Sequence, residues 1–157
     1  MRDVAFGFKH GAVSALLLLL TVCGGPGGAA PSVPALPLGT VIVSDEVFRA
    51  IATVQQTPEY PASSFKWKIS GVAVAEVMTT REGHMDWVRV VQAPDALTAA
   101  AVYEALGAWE VQPIRGEDGM PRRIWAKLFY YFTIENGQGE VRSPGEILGE
   151  SLDGLLR

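Results

Sequence analysis

Apolar positions along the chain switch between continuous, helical and alternating periods, and the switches divide it into segments. Ala12–Val22 is a largely apolar run, and residues 24–40 then hold four prolines and five glycines with no period at all. Thr40–Val43 reads as a short β segment, and Ser44 or Asp45 can cap a helix whose stripe is Val47, Phe48, Ile51 and Val54. From Ser70 the period becomes two. Val72, Val74 and Met78 share one face, while Ala73, Ala75, Val77 and Thr79 share the other, and Gly71 permits close backbone approach at the strand start. Gly83 in "REGH" supplies the positive φ of a tight turn, and Met85–Val91 returns as a second strand. Pro94 suits the first turn of a helix, Asp95 its positive end, and Ala99, Val102, Leu106 and Trp109 form its apolar stripe.

Arg122–Ile134 carries the strongest strand pattern. Ile124, Ala126, Leu128, Tyr130, Phe132 and Ile134 make a core face. The other face, Arg123, Trp125, Lys127, Phe129, Tyr131 and Thr133, is too apolar for plain solvent and too charged for a core. It is either a recognition stripe or a surface covered by the helix near 45–55, by the tail or by a second subunit. The segment after Asn136 is polar and acidic and is expected to be loosely attached. The fold expected is α+β, a small three-stranded antiparallel sheet with a helix packed on one face, in the order β-β-α-β.

At 157 residues, 48% apolar and 19% charged, the chain fits one domain with flanking segments. The net charge of −4 and an acidic end, five carboxylates against two arginines after residue 134, argue against a nucleic-acid partner. Arg2, Lys9 and His10 before the apolar run, with small residues after it, have the order of an export signal. The eleven residues of this run span about 16 Å as a helix, short of the ~20 residues that a bilayer needs. Three outcomes stay open for residues 1–30: cleavage near Gly28–Ala30, lipidation at Cys23, or retention as a membrane anchor. Each places the remainder in the cell envelope. Residues 31–40 follow as a Pro/Gly linker and 41–56 as a short strand and helix.

Cys23 is the only cysteine, so no internal disulfide forms, and with two histidines no metal set is expected. No phosphate loop, dinucleotide fingerprint or nucleophile elbow appears; neither a cofactor nor an enzyme activity is expected. Lys66, Trp67 and Lys68 read as a solvated loop, with membrane-surface contact as the alternative.

Residues 57–135 carry a more specific pattern. Tyr60–Pro61 is followed by Gly71 opening the first strand, by the Glu82–Gly83 turn, by a helix ending in Trp109-x-Val111-x-Pro113, and by an aromatic strand closing on Phe132. In that order they resemble the C-terminal domain of TonB-type energy transducers. The resemblance implies a periplasmic module that binds a short extended peptide of an outer-membrane TonB-dependent transporter by strand addition. The peptide-facing positions it implies are Gln55, Gln56 and Tyr60, with the exposed edge of the last strand at Arg123, Trp125, Lys127, Phe129 and Tyr131. It also implies inner-membrane proton-motor proteins as further partners. A scaffold of the envelope without energy coupling, which could dimerise through its aromatic face, is the competing expectation.

Overall fold

The structure, a computed structural model, describes residues 35–155, of which Leu36 onward belong to one compact unit. The export segment, Cys23 and the linker up to residue 34 lie outside the described residues. In chain order the elements are β1 (Val41–Val43), α1 (Asp45–Ala50), β2 (Ala52–Val54), α2 (Ala62–Lys66), β3 (Gly71–Thr79), β4 (Met85–Gln92) and α3 (Ala96–Gly107). There follow β5 (Glu110–Val111), β6 (Ile114–Arg115), β7 (Pro121–Arg122), β8 (Ile124–Glu135), β9 (Gln138–Arg142) and α4 (Pro144–Leu155). Among the described residues no helix is long and apolar enough to cross a membrane.

The fold is α+β, and its main sheet has five strands rather than three. The expected strands β3, β4 and β8 are antiparallel, with β8 beside β3 and β4 beyond it. Two additions lie on the other side of β8: β1 pairs in parallel with Ile124–Ala126, and β9 pairs antiparallel with Tyr131–Glu135. The tail is therefore bound into the sheet, contrary to a loose attachment. Its turn is Asn136–Gly137, both with positive φ (52° and 77°), the two-residue geometry that matches strand twist.

The core lies on the face that alternation assigns to it. Ala73, Ala75 and Val77 pair with Tyr130, Leu128 and Ala126, so each pair sets one alanine against a larger residue and leaves room for Val102 and Leu106 of α3. Asp95 is the N-cap of α3 rather than a first-turn residue; it accepts from Thr98 N at 2.7 Å, and Thr98 Oγ1 accepts in return from Asp95 N at 3.1 Å. Gly71 (φ 151°) lies against Pro94, where an added Cβ would sit 3.2 Å from the ring. Gly83 (φ 96°) is tighter: its Cβ would fall 2.0 Å from the Val111 carbonyl oxygen.

The helix expected to run through Val54 ends at Ala50. Ser44 caps its start, accepting from Val47 N at 3.3 Å, but Ile51, Thr53 and Val54 are β-branched and disfavour another turn. The backbone instead pairs with the chain beyond α3: β2 runs antiparallel to β5, and Ile51 O accepts from Gln112 N at 2.8 Å. The five-residue α2, begun after Pro61, is too short to have left a period. Trp67 beyond it is exposed, with Lys66 over its ring at 6.0 Å.

Candidate functional site

The residues expected to face a peptide fall into two groups on opposite faces of the sheet. Tyr60 is built into the core side. Its ring meets Phe132 edge-on at 5.4 Å and Phe65 at 6.2 Å, and its hydroxyl donates to Ile69 O at 2.5 Å. Gly139 makes space for that ring, since a Cβ there would come within 2.8 Å of it. Burial raises the Tyr60 pKa, with the Asp95 charge adding to the effect. Gln56 gives its backbone oxygen to Trp109 Nε1 at 2.8 Å, while Gln55 and the Gln56 side chain remain exposed. Gln56, Tyr60 and Pro61 form one wall of a cleft of about 350 Å³ whose other wall is Leu97, Ala101 and Glu104 on α3.

Trp125, Lys127, Phe129 and Tyr131 project from the opposite face by the pleat of β8, all but Lys127 half-buried. Across its centre runs a row of charges. Glu76, only 6% exposed, pairs with Arg89 of β4 at 2.6 Å and with Lys127 of β8 at 3.5 Å, in register on both sides. The neighbouring row is Trp87, Met78 and Trp125. Arg123 is paired to Asp86 at the end of the sheet. Lys127 thus neutralises a buried carboxylate within the fold, a role that its place in an alternating pattern did not disclose.

The outer side of β8, expected to be an exposed edge, is not one. Along its first third Val41 N donates to Arg123 O at 2.8 Å and β1 continues the pairing to Ala126. Along its last third β9 takes over from Tyr131. Between them no strand pairs, yet the backbone of Phe129 is satisfied on both counts. Its N–H donates to Asp45 Oδ2 at 2.7 Å, and its carbonyl accepts from Arg49 Nη2 at 3.1 Å. Asp45 and Arg49, one turn apart on α1 and paired to each other, take the place of a strand there.

That pair is held rigidly. Phe48 between them is fully buried and stacks on Trp109 at 6.1 Å, and the Arg49 guanidinium lies over the Tyr130 ring at 4.7 Å and the Trp109 ring at 5.5 Å. Burial pushes the Tyr130 phenol up to about 12 against the opposing pull of Arg49, whose guanidinium lies beside the hydroxyl without a well-formed hydrogen bond among the described residues. The Asp45–Arg49 pair was not identified in the sequence. The one signal available was an acid and a base four residues apart after a capping serine, a pattern usual for any short helix.

The arrangement offers backbone pairing and charge rather than reactive groups. Among the described residues no cluster of three or more His, Cys, Asp or Glu side chains could hold a metal ion. No protein-family model matches the chain, and no curated protein matches it. Among solved structures it is similar to the solution NMR structure of the Pseudomonas aeruginosa TonB C-terminal domain. Identity is 23%, the match covers 54% of this chain and 86% of that one, and the TM-score is 0.47. At that level the likeness leaves function to be argued from the residues.

Proposed function

We propose that this chain is a TonB-like, non-enzymatic binding protein of the cell envelope that takes up an extended peptide of an outer-membrane transporter by strand addition along β8. The observation that carries the reading is the pairing of β1. A segment from outside the β3–β8 unit has been added to the outer side of β8 through its backbone, in parallel, over Val41–Val43. A sheet edge that accepts one short extended segment has the hydrogen-bond geometry to accept another. Arg123 and Lys127 beside it are already paired to Asp86 and Glu76, so recognition there rests on the backbone.

The test is a titration of the chain with a synthetic peptide from a transporter plug, followed by amide NMR. The expected shifts are at Ile124–Ala126 and Val41–Val43. Saturable binding whose shifts are confined to β4, the strand at the far end of the sheet, would overturn the proposed edge. A second reading, an envelope scaffold that takes no transporter peptide, is favoured by one observation: much of the outer side of β8 is already occupied by β1, the Asp45–Arg49 pair and β9. Absence of any binding in that titration is its expected result.

A further inference from the structure

The three groups that close the outer side of β8 differ in how firmly they are held. β9 forms five rungs, follows a two-residue turn, and is tied to β8 by Arg142, which pairs with Glu135 at 3.0 Å. α1 is anchored by the buried Phe48 and by Arg49 on its two rings. β1 has only three rungs. Its central side chain, Ile42, is 64% exposed, and Leu38 just before it is wholly exposed. The chain enters through Pro37 and Gly39 (φ 80°), where Thr40 is bonded only back to Pro37 O, through its hydroxyl at 2.7 Å and its amide at 3.2 Å. So β1 is the most weakly held of the three: Val43 packs partly buried against the core while Ile42 faces out, and peeling the strand uncovers the backbone of Arg123–Ala126 at the loss of that one contact.

We propose that β1 is an intramolecular plug, a self-ligand that occupies the strand-accepting side of β8 and must be displaced before a partner strand can pair there. This rests on the strand-addition reading above and adds its regulation. Being tethered, β1 competes at an effective concentration in the millimolar range, which lowers the apparent affinity of any free peptide by the fraction of time the side is open. The Asp45–Arg49 pair stays in place and limits an incoming strand to the few positions beside Arg123–Ala126. Detachment of β1 is therefore a control on binding that leaves the pairing of β3, β4 and β8 unchanged.

The experiment uses the full chain and Val41→Pro, which removes the Val41 N–H that bonds to Arg123 O. Ile42→Lys, at an exposed position, is the control. Two probes are titrated: a synthetic peptide of residues 38–44 and a transporter-plug peptide. The plug reading expects the 38–44 peptide to bind Val41→Pro and not the unaltered chain or Ile42→Lys. It also expects the transporter peptide to bind Val41→Pro at least about tenfold tighter than the unaltered chain. A folded Val41→Pro that takes neither probe more tightly than the unaltered chain overturns it. If Val41→Pro does not fold, hydrogen exchange on the unaltered chain without any peptide decides: Val41–Val43 amides that exchange at least about tenfold faster than those of Gln138–Arg142 support the plug, and equal protection refutes it. The two proposals fail separately. Binding of the 38–44 peptide alone to Val41→Pro keeps the plug and removes the transporter partner, whereas equal binding of the transporter peptide to both chains keeps the partner and removes the plug.

Discussion

Replacing Asp45 by alanine should destabilise this fold more than a helix-surface carboxylate ordinarily does. The Asp45 side chain is only 12% exposed, pairs with Arg49, and accepts the Phe129 N–H at 2.7 Å across 84 residues of chain. A hydrogen bond to a charged group contributes about 1.5–3 kcal/mol, and a buried N–H left without a partner costs about 1–3 kcal/mol. These overlap, because the same bond is counted from both ends, so about 3 kcal/mol is expected in total, including the uncompensated charge left on Arg49. For a unit of this size that lowers Tm by roughly 10 °C. Urea unfolding followed by tryptophan fluorescence measures it, with an unchanged slope as evidence that only stability moved. Asp45→Asn, which can still accept from Phe129, should cost about half as much. A double-mutant cycle with Arg49→Ala should give a coupling above about 1 kcal/mol, and amide exchange at Phe129 should accelerate in Asp45→Ala. A loss below about 1 kcal/mol, with Phe129 still protected, would refute the idea that this pair stands in for a strand.

Gly83→Ala should cost about 3 kcal/mol or more by thermal unfolding, since it combines a positive φ with a Cβ driven into the Val111 carbonyl and breaks the Val111 N to Gly83 O bond of 2.9 Å; a change under 1 kcal/mol would mean that the turn moves freely. Tyr130→Phe should be close to neutral, within about 1 kcal/mol, because among the described residues the buried hydroxyl makes no well-formed hydrogen bond; a clear loss of stability would show that its contact with the Arg49 guanidinium is a true bond. Burial raises the Asp95 pKa, but hydrogen bonds from Ser64 and from the first turn of α3 outweigh it and hold the carboxyl below its ordinary value. A depressed folded value stabilises above the unfolded pKa of about 4 and loses that stability as pH falls through the folded value. Stability measured from pH 6 to 2 should therefore fall less steeply in Asp95→Asn than in the unaltered chain, and parallel curves would dismiss the carboxylate's part.

Legible in the sequence are the parts whose side chains alternate or recur between a core and water. β3, β4, β8 and α3 were legible because burial on one face imposes a period of 2 or 3.6, and the turn at Gly83 because only glycine adopts that φ cheaply. The hairpin at Asn136–Gly137 was equally legible in principle, for Asn-Gly between alternating residues is a strong local turn signal, but the polar composition around it masked the strand. The state of the outer side of β8, by contrast, follows from long-range packing. Parallel pairing of β1 with Ile124–Ala126, and the reach of Asp45 and Arg49 to Phe129, join residues about eighty apart through backbone groups. Every residue has those groups, so the side-chain pattern carries no mark of which ones meet. The split of Tyr60 from Trp125, Lys127 and Phe129 has the same origin, since a sheet places neighbours in sequence on opposite faces and only packing settles which segment each face receives.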